Sequence, residues 1–216
     1  GTEENLVANG DFAQNATAGW GSNWQGPTFK CEKIGGGIPL SDKEKKEVLT
    51  TALDKWIAGM MEATEGKVKA WDVVNEALSG ADTNGDGKYD LQSATRGTAP
   101  DDDIPNSFYW QDYLGDLDYV RTAVASARKH FEKNGGNPEE LKLFVNDYNL
   151  ESDWDQNGKL KSLIQWIKDW EADGVTKIDG IGSQMHVSCS MNPAEQKRRE
   201  DAYVNMLNLM VGSHKL

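Results

Sequence analysis

Cysteine and histidine are scarce in this chain of 216 residues, which has two cysteines and three histidines. Cys31 and Cys189 lie in segments of different composition, and their separation matches no metal-binding motif. Neither His130 nor His214 has zinc-ligand neighbours in the sequence. The sequence therefore predicts no zinc site and no cofactor, and it leaves open whether the two cysteines form a disulfide bond.

Basic residues and long apolar runs are also few. Lys and Arg together number 23 against 35 Asp and Glu, which gives a formal net charge of −12. Because no basic stripe offsets this charge, a nucleic-acid partner is not predicted. No apolar run is long enough for a transmembrane helix, and no secretory signal motif is visible. These absences exclude nucleic-acid-binding proteins and membrane-spanning proteins as predicted classes.

Three short apolar runs end in polar side chains. Residues 71–76 combine a tryptophan with two valines, which is typical of a parallel strand covered on both faces, and they end in Asn75 and Glu76. Residues 141–149 repeat this pattern. In residues 178–187 the alternation of a strand predicts that the polar side chains at positions 184 and 186 point to the same side. Each run is therefore predicted to be a strand with a polar carboxyl end, although Asn75 and Glu76 alone could simply begin a loop.

Helix-period segments separate these strands, over residues 118–133 and 158–172. Alternating strands and helices predict a parallel sheet, so all three polar ends are expected at one edge of it, where α/β barrels place their catalytic groups. Another helix is predicted to follow the capping-box pattern at residues 41–44. Its apolar side chains are expected to lie in the core beside the first strand, and they are Leu49, Leu53, Trp56, Ile57, Met60 and Met61.

Residues 71–76, 144–149 and 180–186 resemble the fourth, fifth and sixth barrel strands of family 10 glycoside hydrolases, the endo-1,4-β-xylanases. The resemblance runs from about residue 38 to residue 216. This segment is similar to xylan-degrading enzymes of gut Bacteroides-type bacteria. It implies a (β/α)8 TIM barrel of which only the central β4–β6 portion is present. Residues 1–37 resemble instead the remnant of a β-sandwich carbohydrate-binding module followed by a glycine linker.

The resemblance also implies roles for five residues. Glu76 would be the general acid/base, and Asn75 would hydrogen-bond the sugar 2-hydroxyl. Gln184 and His186 resemble the pair that positions the nucleophile, and Tyr148 resembles an aromatic platform on the leaving-group side. The alternatives are a structural amide for Gln184, a packed core histidine for His186 and core packing for Tyr148.

The nucleophile of this family is a second Glu in a Thr/Ser-Glu-Leu-Asp segment, and the sequence contains no such segment. The chain is therefore expected to be a truncated barrel whose open edges self-associate. Two functions remain open. One is retaining endo-hydrolysis of β-1,4-xylosidic bonds in xylan, with doubt about the activity of this chain alone, and the other is non-catalytic binding of xylan. Family resemblance alone implies a secreted, periplasmic or cell-surface location.

One acidic loop resembles the start of a calcium-binding loop. Asp82, Asn84 and Asp86 stand at alternate positions, and Gly87 follows at the turn. The bidentate Glu expected at the twelfth position is replaced by Ser93. These three oxygen-bearing residues are a weak calcium candidate, and a solvated acidic loop is the alternative.

Overall fold

A computed structural model of the chain describes residues 40–98 and 107–216, and Asp42–Leu216 form one compact unit. The predicted carbohydrate-binding remnant at residues 1–37 and Cys31 both lie outside the described residues. The division of the chain at residue 37 therefore stays a prediction, and whether the two cysteines pair stays open.

Three parallel strands form the sheet, in the order β1-β2-β3. They are β1 (Ala70–Asn75), β2 (Lys142–Asp147) and β3 (Gly180–Ser183). Asn75 lies opposite Asn146, and Asp147 lies opposite Ser183. This register brings the carboxyl ends of all three strands to one edge of the sheet, as the sequence predicts. The sheet is a partial α/β barrel of the TIM type.

Helices alternate with the strands along the chain. The predicted helix at residues 118–133 is confirmed with the same bounds, and the predicted helix at 158–172 ends one residue earlier. Within the described residues, no helix is both long enough and apolar enough to cross a membrane. The helices are α1 (Asp42–Thr64), α2 (Gln111–Leu114), α3 (Asp118–Lys133), α4 (Gly158–Glu171) and α5 (Pro193–Gly212).

The central strand β2 carries the buried core of the sheet, and Leu143 and Val145 on it are fully buried. The prediction that residues 71–76 form a strand covered on both faces is wrong, because only Val74 of β1 is buried. Among the described residues β1 pairs with β2 alone, so it is an edge strand and its other side chains keep some contact with solvent.

Helix α1 packs mainly against α3. It also lies beside the first strand, as predicted, across a groove that both elements line. Its Asp54 carboxylate accepts hydrogen bonds from α3, including one of 2.8 Å from the Ser126 hydroxyl. The core positions predicted for Trp56 and Met60 are wrong, because these side chains are 68% and 38% exposed. This orientation turns them towards an open groove of about 450 Å³ that borders β1.

The outer edge of β3 is partly paired by the last residue of the chain. Ile181 N–H donates to the Leu216 carbonyl at 3.0 Å, and Leu216 N–H donates to the Asp179 carbonyl at 2.9 Å. Among the described residues, the edge of β1 is therefore more open than the edge of β3.

Asp179 stands just before β3 in the sequence, and its side chain is hydrogen-bonded to both β2 and α3. Its Oδ2 accepts a hydrogen bond of 2.9 Å from Leu143 N–H and another of 2.9 Å from the Arg128 guanidinium. Burial alone would raise the pKa of Asp179, but these donors and the nearby charges of Arg128 and Lys177 outweigh burial and lower the pKa below 3.8.

Asp179→Asn is expected to lower the free energy of unfolding by about 1–3 kcal/mol at pH 7, because it weakens two charge-assisted hydrogen bonds. A lowered folded-state pKa stabilises the fold above the unfolded value of 3.8, and this stabilisation is lost as the pH falls through the folded value. Urea unfolding of both proteins at pH 7, 4 and 3 measures the difference. A stability gap that stays constant over this range would contradict the ionic role of Asp179.

Candidate functional site

Glu76 stands directly after β1 in a left-handed conformation, with φ at +53°. Its N–H donates to the Asn146 carbonyl at 2.8 Å, and its own carbonyl accepts a hydrogen bond of 2.6 Å from the Gln92 side chain. A non-glycine residue in this backbone region is uncommon and is held there by its surroundings. These two contacts hold the Glu76 backbone at the carboxyl edge of the sheet.

The Glu76 carboxylate contacts the amide delivered by the third strand. Gln184 Nε2 donates to Glu76 Oε1 at 2.6 Å, and Gln184 Oε1 lies 2.7 Å from His186 Nε2. The side chains at positions 184 and 186 therefore meet as predicted, but the predicted strand over residues 178–187 is too long, because β3 ends at Ser183. His186 is exposed, so the alternative of a packed core histidine is wrong. The three side chains form a hydrogen-bonded chain from the imidazole through the amide to the carboxylate.

Asn75 is held by its neighbour on β2. Asn146 Nδ2 donates to Asn75 Oδ1 at 2.7 Å, and Gln184 Nε2 lies 3.4 Å from the same oxygen. Gly182 allows this packing, because a Cβ atom there would lie 2.6 Å from Asn146 Oδ1. Within the described part of the chain, only the Oδ1 atom of the Asn75 amide is hydrogen-bonded, and the Nδ2 group has no partner.

Tyr148 is half-buried at the end of β2, and one face of its ring is occupied. The Lys159 ammonium lies 3.4 Å from the ring centroid, in a cation–π arrangement. Burial raises the pKa of the Tyr148 phenol, and the charges of Asp147 and Glu76 raise it further. The hydroxyl therefore remains protonated at neutral pH and can act as a hydrogen-bond donor.

A buried ion pair supports this edge of the sheet. Lys159 Nζ lies 2.7 Å from Asp147 Oδ1, and both residues are buried. The other Asp147 oxygen accepts a hydrogen bond of 3.2 Å from Leu78 N–H, just beyond Glu76. Because its charge is paired and enclosed, Asp147 is not available as a nucleophile.

Gln92, Tyr109 and Lys159 belong to the site but are not predicted from the sequence. Gln92 reaches Glu76 because the chain returns through a single antiparallel bridge between Leu78 and Leu91. Tyr109 in turn donates to Gln92 Oε1 at 3.2 Å. No motif marks these contacts, since each depends on how a loop or helix folds back.

A cavity of about 470 Å³ adjoins Glu76 and Asn75. Phe108 and Tyr109 lie on its wall, and Phe108 stacks on Tyr113 with ring centroids 5.2 Å apart. The site therefore combines a carboxylate, two amides and aromatic faces, which is a composition suited to binding a sugar.

The acidic loop at positions 82–87 is held by its own backbone. Asp82 accepts hydrogen bonds from Gly85 N–H at 2.7 Å and from Gly87 N–H at 2.9 Å. Asn84 Oδ1 accepts another, of 2.8 Å, from Asp86 N–H. In the parts of the chain that the structure describes, no group of three or more His, Cys, Asp or Glu residues is arranged to hold a metal ion. Asp82, Asn84 and Asp86 therefore stay a weak calcium candidate, as in the sequence analysis, with a solvated acidic loop as the alternative.

Comparison with known proteins settles the family. The sequence model described as glycosyl hydrolase family 10 matches residues 20–211. The chain belongs to glycosyl hydrolase family 10. This family 10 chain is 31% identical over 147 residues to endo-1,4-beta-xylanase 2 of Claviceps purpurea. The aligned segment covers 68% of this chain and 35% of that protein. It is 29% identical over 160 residues to endo-1,4-beta-xylanase A of Halalkalibacterium halodurans, covering 74% of the chain and 32% of that protein.

Two solved structures show the same fold for this family 10 chain. Xylanase B from Clostridium stercorarium F9 superposes with a TM-score of 0.54 at 22% identity, over 82% of this chain and 42% of that one. A GH10 endoxylanase from a sugarcane soil metagenome superposes with a TM-score of 0.51 at 24% identity, over 79% of this chain and 38% of that one. The family 10 chain thus spans about a third of the length of these two sequence relatives.

Proposed function

We propose that this family 10 chain carries the acid/base side of an endo-1,4-β-xylanase, which cleaves xylan with retention of configuration. The observation that carries the proposal is the contact of 2.6 Å between Gln184 and the Glu76 carboxylate at the carboxyl edge of a parallel sheet. The names of the relatives, which are endo-1,4-beta-xylanases, support xylan as the substrate.

Glu76 would protonate the leaving glycosidic oxygen and then, as a base, activate the water that releases the sugar. Gln184 holds the carboxyl group in place, and His186 restrains the amide of Gln184. The free Nδ2 group of Asn75 would donate to the sugar 2-hydroxyl, a contact that strengthens at the transition state. The exposed face of Tyr148 would support the sugar on the leaving-group side.

Retaining hydrolysis also requires a nucleophilic carboxylate about 5–5.5 Å from the acid/base. Within residues 40–98 and 107–216, no carboxylate besides Glu76 is hydrogen-bonded to Gln184 or His186, and Asp147 is paired with Lys159. This observation favours a second candidate function, which is non-catalytic binding of xylan by the same site.

Reducing-sugar release from xylan, with cellulose as the control substrate, tests the two candidates. Release from xylan by the full chain supports the hydrolase. Binding of xylo-oligosaccharides without release supports the binding function. If the chain neither binds xylo-oligosaccharides nor releases sugar from xylan, both candidate functions are contradicted.

We also propose that the protein acts outside the cytoplasm, in a secreted, periplasmic or cell-surface form. The support is the substrate, because polymeric xylan is too large to cross a membrane. Immunodetection in fractions of the producing cells tests the location, and a signal confined to the cytoplasm would contradict it.

The open edge of β1 supports a further proposal, that two copies of the chain associate there. The strand borders a groove to which Trp56 and Met60 contribute exposed apolar surface. Trp56→Lys is expected to shift the protein from dimer to monomer in size-exclusion chromatography with light scattering. Lys43 is an exposed residue on the same helix, so the variant Lys43→Ala serves as the control. A monomeric parent at a concentration of 100 µM would contradict the proposal.

A further inference from the structure

The loop that follows Glu76 returns to it through Gln92. The return is made by an antiparallel bridge between Leu78 and Leu91, and both of these side chains are buried. Gln92 is the next residue after this bridge, so the bridge places it beside the end of β1.

Gln92 binds two consecutive carbonyl groups of the segment that carries the proposed acid/base. Its side-chain Nε2 group donates to the Glu76 carbonyl at 2.6 Å, and its backbone N–H donates to the Ala77 carbonyl at 2.9 Å. One residue therefore holds the orientation of two successive peptide groups, the first of which begins at Glu76 itself.

The backbone of Glu76 requires such support, because its φ of +53° is disfavoured for a residue with a Cβ atom. On its amino side the residue is held by β2, since Glu76 N–H donates to the Asn146 carbonyl at 2.8 Å. On its carboxyl side the contact comes from Gln92. A return of φ to negative values would rotate the side chain and move the carboxylate away from Gln184, which it contacts at 2.6 Å.

The amide of Gln92 is itself oriented by its neighbours. The Tyr109 hydroxyl donates to Gln92 Oε1 at 3.2 Å, and the side chain of the buried Gln111 donates to the Gln92 carbonyl. A flipped amide would turn Oε1 towards the Glu76 carbonyl, where two acceptors would face each other. Tyr109 therefore favours the orientation in which Nε2 faces Glu76.

We infer that Gln92 is a positioning residue for the acid/base Glu76, and that Tyr109 orients Gln92 for this role. Gln92 acts through the backbone of Glu76, whereas Gln184 contacts the carboxylate directly. Small displacements of a reacting group lower the rate of a reaction strongly, so the backbone contact matters to hydrolysis as well as to the fold. This inference rests on the proposed function, since it assigns Gln92 a part in the hydrolysis of xylan.

The kinetics of xylohexaose hydrolysis by the full chain and by Gln92→Met test the inference. Methionine keeps the length of the side chain and removes both the donor and the acceptor. We expect kcat to fall by about 10- to 100-fold while KM stays within about threefold of the parent, because the acid/base is displaced and the sugar contacts remain. Tyr109→Phe, which removes only the hydroxyl, should lower kcat by about two- to tenfold.

NMR spectroscopy provides a readout that does not depend on activity. A positive φ brings the amide proton of a residue close to its own Cα proton, so the parent should give a strong NOE between these two protons of Glu76. In Gln92→Met this NOE is expected to weaken, and the side-chain amide of Gln184 is expected to shift. Thr83→Val serves as the control, because it removes a hydrogen bond of 2.6 Å to Asp90 in the same loop and should change neither kcat nor the Gln184 amide.

The outcomes separate the inference from the proposed function. If the parent hydrolyses xylohexaose and Gln92→Met keeps both the parental kcat and the NOE of Glu76, the positioning role is wrong and the proposed function stands. A higher KM at an unchanged kcat would also overturn the inference, because Gln92 would then act on the sugar. If Gln92→Met does not fold, the kcat of Tyr109→Phe decides, and a parental value overturns the inference. If the parent releases no sugar, the proposed hydrolase fails and the inference fails with it.

Discussion

Glu76→Gln is expected to lower the rate of xylan hydrolysis by about 10²- to 10⁴-fold, which is the usual contribution of a general acid/base. The amide keeps the shape of the side chain but cannot supply a proton to the leaving oxygen. The contact with Gln184 involves a single carboxylate oxygen, so a glutamine can take the same position. Affinity for xylo-oligosaccharides should therefore stay within about threefold of the parent, since the sugar-facing amides remain. Reducing-sugar assays and calorimetric titration measure the two effects.

Glu132→Gln provides the matched control. It makes the same chemical change at an exposed position on helix α3, away from the site. It should leave both the hydrolysis rate and the affinity unchanged. Hydrolysis by Glu76→Gln at the rate of the parent would show that another group acts as the acid/base. A parent that binds xylohexaose but releases no sugar would favour the non-catalytic function.

Lys159→Met is expected to lower the free energy of unfolding by about 3–5 kcal/mol, because it leaves the Asp147 carboxylate buried without its cation. The ammonium also contacts the Tyr148 ring and donates to the Tyr148 carbonyl at 3.0 Å, so its removal frees the aromatic platform as well. Urea unfolding at pH 7 measures the loss.

The double variant Lys159→Met with Asp147→Asn separates the charge from the packing. It removes both charges, so it should recover a large part of the loss seen in the single variant. Lys43→Met removes an exposed lysine that lies 3.8 Å from Glu47, and it should cost less than about 0.5 kcal/mol. Equal losses for Lys159→Met and Lys43→Met would show that the buried pair contributes little to stability.

The central strand and the long helices are predictable because their signals are local. For β2 the signal is a short apolar run, and in the structure buried residues alternate with partly exposed ones along it. In α3 an amphipathic period spans the whole helix. The exposure of β1 could not be predicted in the same way. Its tryptophan and valines are those of a buried strand, and only the pairing of the sheet decides whether a second strand covers its edge.

In the candidate site, too, local sequence signals predict some contacts, whereas others depend on the tertiary fold. Alternation along a strand predicts that Gln184 and His186 point to the same side, and the two side chains do meet at 2.7 Å. The predicted cause is wrong, because both residues lie beyond Ser183, the last residue of β3, and Met185 between them has a φ of +47°. The cation beneath Tyr148 could not be predicted, because Lys159 is eleven positions away and reaches the ring only through the orientation of α4. Gln92 likewise reaches Glu76 only through the fold of a loop.

The most direct test of a xylan site at the ends of β1 and β3 is an NMR titration that follows side-chain amide resonances as xylohexaose is added to the full chain. The Asn75 and Gln184 amides are expected to shift with the same saturation curve. The amide of Asn205, which is engaged with Asn157 at 2.7 Å, should not move. Saturating xylohexaose that leaves the Asn75 and Gln184 amides unshifted would contradict a xylan-binding site around Glu76.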